Sequence, residues 1–128
     1  MNVSSLNSPR VITRELKIRK NLDHVISFMT GAPQLGSWLS PVKSVDARAG
    51  GEIIFRAEAG FEHGAKYQVL DLPKHVVLLS DKFGQIDAKF EEDAGKTLVS
   101  FTFTKSGDDE FEKIVADTVT RFIAMVNY

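Results

Sequence analysis

The sequence predicts an α+β fold in which a curved antiparallel sheet of six to seven strands wraps around a long C-terminal helix. Three observations support this prediction. Segments that alternate apolar and polar side chains fill most of residues 42–104, which is typical of a sheet with one buried face. Short turns with glycine or proline join these segments, so neighbouring strands run antiparallel. The last segment has an apolar stripe at helical spacing, which can cover the buried face.

One strand and two short helices are predicted before this sheet. Residues 11–18 alternate like a strand, although Arg14 interrupts the apolar row. An asparagine that can cap a helix precedes residues 22–29, whose apolar side chains fall at helical spacing. Pro33 suits the first turn of a second helix over residues 34–39.

Six more strands follow the two short helices in this interpretation. They cover residues 42–48, 52–59, 61–72, 76–82, 85–91 and 97–104. The clearest turns between them are Ala49-Gly50-Gly51 and Asp93-Ala94-Gly95-Lys96. Glycine takes the positive φ angles that tight hairpins require, so both segments are predicted to reverse the chain.

The final helix is predicted to run from Glu110 to about Asn127. Asp109 and Glu112 have the spacing of a capping box at its start. At ~1.5 Å per residue such a helix is about 25 Å long, which matches the length of the sheet that it would cover.

Composition limits the possible functions. The 128 residues suit one domain, predicted as residues 11–128 after a disordered polar lead-in of residues 1–10. Sixteen basic residues nearly balance seventeen acidic ones, so no nucleic-acid partner is expected. The absence of cysteine excludes disulfides and thiolate ligands, and the three histidines match no metal spacing. We therefore predict no metal site and no cofactor.

The N-terminal residues have neither a basic cluster nor an apolar run, and no segment is long enough to cross a bilayer. We therefore expect a cytoplasmic protein that does not insert into a membrane.

Three motifs resemble a known family. Leu35-Gly36-Ser37-Trp38-Leu39 places a leucine and a tryptophan at the end of the second short helix, and Asp46-Ala47-Arg48-Ala49-Gly50-Gly51 resembles the Asp-x-Arg-x-Gly-Gly turn that follows in the family. Asp71-Leu72-Pro73 lies where the family has a proline turn. The chain thus resembles the SRPBCC superfamily of birch-pollen-allergen, START lipid-transfer and polyketide-cyclase domains. The most similar branch is the one named for the activator of the heat-shock-protein-ninety ATPase.

This resemblance covers residues 11–127 and implies a helix-grip fold. It also implies a space between sheet and helix that holds an apolar or amphipathic ligand. The residues predicted to line that space are Trp38, Phe55, His63, Tyr67, Phe90, Phe101, Phe103, Thr118 and Phe122. The alternative is that the aromatic side chains fill the core and leave no cavity.

The polar members of this set also have two interpretations each. His63 and Tyr67 share one face of a strand, about 13 Å apart at ~3.3 Å per residue, so each can orient a different end of a ligand. Alternatively, Tyr67 directs its hydroxyl to the rim and His63 caps the edge of the sheet. Thr118 either contacts a ligand or bonds a carbonyl one turn back. Trp38 either guards the cavity mouth or plugs the core.

The remaining histidines, His24 and His75, are expected to be isolated and exposed. The leading functional hypothesis is a small-molecule binding protein. One alternative is a cyclase or hydrolase in which His63 or Tyr67 supplies a proton. Another is a chaperone-associated interaction module, and a homodimer is open in each case.

Overall fold

The computed structural model describes residues 9–56, 63–106 and 110–127. Its strands and helices follow one another as β1 (Pro9–Ile18), α1 (Leu22–Thr30), α2 (Ala32–Trp38), β2 (Val42–Val45), β3 (Glu52–Phe55), β4 (Gly64–Asp71), β5 (His75–Ser80), β6 (Gly84–Asp93), β7 (Lys96–Ser106) and α3 (Phe111–Val126). This order confirms the predicted α+β architecture.

The strands form one seven-stranded sheet in the order β1-β7-β6-β5-β4-β3-β2. Every neighbouring pair is antiparallel. Only β1 leaves the sequential order, because it pairs with β7 and forms one edge of the sheet. β2 forms the other edge.

Strand β1 starts earlier than the sequence predicted. Pro9 and Arg10 belong to it and pair with Ser106 and Lys105 of β7, so these two residues are not part of a disordered lead-in. The rest of the predicted lead-in, residues 1–8, lies outside the described part of the chain. Arg14 has the parity of the inward-facing Ile18 and pairs with Phe101, yet it is exposed at the sheet edge.

The inner face of the sheet is apolar and is covered by helices. Helix α1 begins as predicted, with the side chain of Asn21 accepting a hydrogen bond from the amide of His24. Helix α3 starts after Glu110, and Asp109 of the predicted capping box lies outside the described residues. The stripe that α3 buries consists of Phe111, Val115, Thr118, Val119, Phe122 and Val126.

β2 and β3 are much shorter than the strands predicted for residues 42–48 and 52–59. β2 ends at Val45, because the following turn is closed by hydrogen bonds from the Arg48 amide to the Asp46 carbonyl and from the Gly51 amide to the Arg48 carbonyl. β3 ends at Phe55. Residues 57–59 of the strand predicted over 52–59, and residues 61–62 of the strand predicted over 61–72, lie outside the described residues.

The turn between β6 and β7 is a tight hairpin, as the sequence predicted. Asp93 pairs with Lys96, and the two residues between them have positive φ angles, 52° at Ala94 and 80° at Gly95. Glycine accepts such a conformation readily, whereas alanine adopts it at a cost because its Cβ approaches the backbone.

Candidate functional site

An aromatic cluster occupies the space between the sheet and α3. The ring centroids of Trp38 and Phe122 are 5.0 Å apart, and those of Phe101 and Phe122 are also 5.0 Å apart in an edge-to-face arrangement. Phe103 continues the cluster at 5.4 Å from Phe101. These rings are buried and in mutual contact, so they contribute to the core at the centre of the fold.

Trp38 is fully buried within this cluster. Its indole Nε1 donates a hydrogen bond to the carbonyl of Phe28, 2.8 Å away, which satisfies its only polar side-chain atom. Arg121 of α3 donates to the Trp38 carbonyl at 3.2 Å. The tryptophan thus joins α1, α2 and α3, which is the arrangement of a core plug.

Tyr67 directs its hydroxyl into the interior and away from the rim. The hydroxyl donates to the carbonyl of Met29, 2.6 Å away, and the side chain is fully buried. Burial raises the pKa of Tyr67 to about 12, because the charged phenolate is poorly solvated there. Tyr67 therefore keeps its proton at neutral pH and positions α1 on the sheet.

Thr118 also finds its partners within the protein. Its hydroxyl donates to the carbonyl of Ile114, 2.7 Å away and one turn back in α3. Arg121 donates to the same hydroxyl at 3.4 Å. Of the other predicted lining residues, Phe90 lies buried on β6.

His63 is different, because its ring has no polar partner among residues 9–56, 63–106 and 110–127. Both imidazole nitrogens are buried, and neither forms a hydrogen bond with the described part of the chain. The ring stacks on Phe55 with centroids 4.8 Å apart, in a nearly parallel arrangement. An unpaired buried polar group costs roughly 1–3 kcal/mol, which sets His63 apart from Tyr67 and Thr118, whose hydroxyls are hydrogen-bonded.

Phe83 completes the apolar surroundings of Phe55, although it was not among the residues predicted from the sequence to line the site. It lies in the β5–β6 turn, is buried, and meets Phe55 edge-to-face at 6.2 Å. The Ser80 hydroxyl accepts a hydrogen bond from the Phe83 amide and fixes the turn. The available signal was a large aromatic residue in a polar turn, just before Gly84.

A surface groove of about 460 Å³ reaches His63. Its walls include two exposed apolar side chains, Ile54 and Leu79, and the residues between them on β4 include Gly64, which has no side chain. The full lining consists of Glu52, Ile53, Ile54, His63, Gly64, Ala65, Lys66, Leu79, Ser80 and Asp81. A small apolar molecule with one polar group suits this combination of apolar walls and charged rim.

The other grooves also lie at the surface. Four of them, of about 450 to 540 Å³, are lined by strands, turns and α2. None of these five grooves is lined by α3 between Phe111 and Val126.

His24 and His75 are not isolated and exposed, contrary to the sequence prediction. His24 Nε2 lies 2.8 Å from the carbonyl of Val126 at the end of α3. His75 Nε2 lies 2.8 Å from Asp87 Oδ1 on the neighbouring strand, and both side chains are about one-third exposed. Val126 is 102 residues from His24, and Asp87 is 12 residues from His75 on the next strand, so the residues adjacent to each histidine gave no sign of its partner.

Residues 9–56, 63–106 and 110–127 contain no cluster of potential metal ligands. No group of three or more histidine, aspartate or glutamate side chains there is arranged so that it could hold a metal ion. None of the helices in those ranges has the length and apolar character needed to span a bilayer.

Comparison with known proteins places the chain in a family. Residues 22–124 match the family of activator of Hsp90 ATPase homolog 1-like proteins. The chain belongs to this family. This membership agrees with the resemblance to the SRPBCC superfamily seen in its motifs.

Solved structures support the same fold for this family member. A conserved protein of unknown function from Enterococcus faecalis matches with a TM-score of 0.79 at 18% identity, over 94% of this chain and 72% of the other. An AHSA1-like protein from Aeromonas hydrophila matches with a TM-score of 0.73 at 18% identity, over 91% and 92% of the two chains.

A third similar structure is described as the Aha1 dimer from Colwellia psychrerythraea. It has a TM-score of 0.72 and 16% identity, over 92% of this chain and 94% of the other. A comparison with curated proteins found no significant match.

Proposed function

We propose that this protein binds a small apolar or amphipathic molecule at the His63 end of the sheet. The ligand's apolar part lies along Ile54 and Leu79, and its polar group reaches the imidazole of His63. This is narrower than the ligand space expected from the sequence, because Tyr67, Thr118 and Trp38 already have partners within the protein.

The observation that supports the proposal is that the two ring nitrogens of His63 are buried and have no hydrogen-bond partner among the described residues. A neutral imidazole offers one donor and one acceptor, so it can bond a hydroxyl, a carbonyl or a carboxylic acid. Such a ligand offsets the cost of the buried nitrogens, whereas a pure hydrocarbon does not. Ligands with a polar end are therefore expected to bind better than hydrocarbons of equal size.

Replacing His63 with Phe tests the proposal. The variant keeps an aromatic ring against Phe55 and removes both buried nitrogens, so its free energy of unfolding without ligand is expected to rise by about 1 kcal/mol. The test is a thermal-shift screen of fatty acids, their methyl esters and fatty alcohols. The melting temperature of the wild type is expected to rise more with one of these polar end groups than with the others. His63→Phe loses that preference.

His75→Gln is the matched control. It replaces a histidine that is paired with Asp87 away from the groove, so the groove stays intact. Its response to the screen equals that of the wild type. The proposal fails when no compound raises the wild-type melting temperature, or when His63→Phe responds to acids and esters as the wild type does.

An enzymatic use of the same site would depend on His63. The proton of Tyr67 is held by a pKa of about 12 and by the bond to Met29, so acid–base chemistry there is unfavourable. In the described ranges, the imidazole of His63 is the one feature that favours a reaction at this site.

Interaction with a chaperone is a second candidate, favoured by family membership. Ile123 and Met125 on α3 are exposed apolar side chains that can contribute to such a surface. Isothermal titration calorimetry against a chaperone of the Hsp90 class separates ligand binding from chaperone interaction. The absence of binding heat at high protein concentration excludes the chaperone interaction.

Self-association is also proposed, because one similar structure is described as a dimer. A second copy of the chain is the partner. This proposal is independent of the ligand.

A further inference from the structure

The outer face of the sheet carries a trough above β7. It holds about 540 Å³ and is lined by Glu15, Leu16, Lys17, Lys89, Phe90, Glu91, Leu98, Val99 and Ser100. Leu16, Phe90 and Val99 point inward on their strands, so the exposed surface consists of the other six residues. We call these six the outer trough.

The strand register explains the shape of the outer trough. On β7, Ser100 lies between Glu15 of β1 and Lys89 of β6, and one step along the same face Leu98 lies between Lys17 and Glu91. Long side chains thus flank shorter ones. Because adjacent strands are about 4.8 Å apart, the two walls stand roughly 10 Å from each other.

Charges of opposite sign face each other across this trough. One wall has Glu15 followed by Lys17, and the other has Lys89 followed by Glu91. Within one chain the opposed side chains are separated by β7. Lys17 also lies 4.0 Å from Asp93, but both side chains are more than half exposed, so this pair is weak and Lys17 can turn to a new partner.

We infer that the outer trough is the face on which two copies of this chain associate. A two-fold axis lying in the interface along β7 places each wall against the opposite wall of the second copy. Glu15 then meets Lys89 of the second copy, and Lys17 meets its Glu91. All four charges of each copy are paired by this one operation.

The same axis brings Leu98 against Leu98 of the second copy. Leu98 is 36% exposed in the single chain, and this contact would cover it. The interface therefore has an apolar centre with a rim of ion pairs. The inference rests on the proposed self-association and adds the face and the pairing that produce it.

Charge reversal provides the test. In Glu15→Lys, two lysines meet at each of the two equivalent contacts of the dimer, and in Lys89→Glu, two glutamates meet there. Sedimentation velocity at low salt should show each single variant dimerising about tenfold more weakly than the wild type. Asp117→Lys and Lys113→Glu on exposed positions of α3 are controls with the same changes in net charge, and they dimerise as the wild type does.

The decisive sample is a mixture of the two single variants. In the mixed dimer the lysine introduced by Glu15→Lys meets the glutamate introduced by Lys89→Glu, and at the other contact the native Lys89 meets the native Glu15. The mixture and the double variant Glu15→Lys/Lys89→Glu therefore both regain the dimer. A dimer that none of these changes affects overturns the inference and leaves self-association standing on another face. A wild-type protein that stays monomeric at all concentrations overturns both the inferred face and the proposed self-association.

Discussion

Tyr67, Thr118 and His63 are three polar side chains that face the interior, and they differ in what they meet. Tyr67 and Thr118 each donate to a backbone carbonyl, at 2.6 Å and 2.7 Å. Each such bond contributes only about 0.5–1.5 kcal/mol net, but a buried polar group left without one costs about 1–3 kcal/mol. His63 has no such carbonyl as a partner in the part of the chain that the structure describes, and this difference makes it the candidate for the proposed ligand recognition.

The buried hydroxyl of Tyr67 predicts a loss of stability in alkali. The folded protein holds this proton up to a pKa of about 12, above the ordinary value of 10.0 that applies when unfolded. Its contribution is therefore complete below pH 10 and is lost as the pH rises towards 12. Tyr67→Phe has no hydroxyl and lacks this pH-dependent contribution to stability. The difference in urea unfolding midpoint between wild type and variant is therefore expected to narrow between pH 10 and pH 12. A gap that stays constant contradicts the burial of the hydroxyl.

At the scale of single elements, the β6–β7 hairpin carries a correctable strain. Ala94 holds a φ of 52°, next to Gly95 at 80°, and asparagine followed by glycine is the preferred pair for such a turn.

Ala94→Asn is therefore expected to raise the free energy of unfolding by about 0.5–1 kcal/mol, measured by urea denaturation. Ala49→Asn is a suitable comparison, since Ala49 is an exposed turn residue without a positive φ. An equal gain at both positions would show that the effect does not come from the backbone angle.

The sequence predicted elements better than contacts. Alternation located the strands of β1 to β7 and glycine located the hairpin, because both are local properties of the chain. Its two interpretations of Trp38 and of Tyr67 remained open, since the Met29 carbonyl that binds Tyr67 is 38 residues away. The bond between His24 and Val126 spans 102 residues and had no local signal at all. The inward parity of His63 was readable, but its lack of a partner depends on what every other element leaves uncovered.

At the scale of the whole molecule, Trp38 connects three helices and the sheet. Its indole donates a hydrogen bond to the Phe28 carbonyl, and its own carbonyl accepts one from Arg121. Its ring packs against Phe101 and Phe122. A change at Trp38 is therefore expected to disturb the contacts of all these elements together.

Trp38→Ala is expected to cost about 3–5 kcal/mol of the free energy of unfolding, because it leaves a large cavity and unpairs a carbonyl. Trp38→Phe should cost less, since the ring contacts remain. Leu72→Ala, at an exposed turn position, is the control and should change stability by less than about 0.5 kcal/mol. Circular dichroism follows all three, and equal losses for Trp38→Ala and Leu72→Ala would exclude a central role for the tryptophan.

The position of Arg14 affects how copies of this protein can assemble. β1 leaves one edge of the sheet open, and an open edge can recruit strands from other chains without limit. A strand added there would enclose the guanidinium of Arg14 on the inner, apolar side of the enlarged sheet. A charge placed in this way hinders growth from the edge. The proposed self-association is thereby left to the faces of the sheet, where two-fold pairing closes on itself and polymerisation into fibrils is disfavoured.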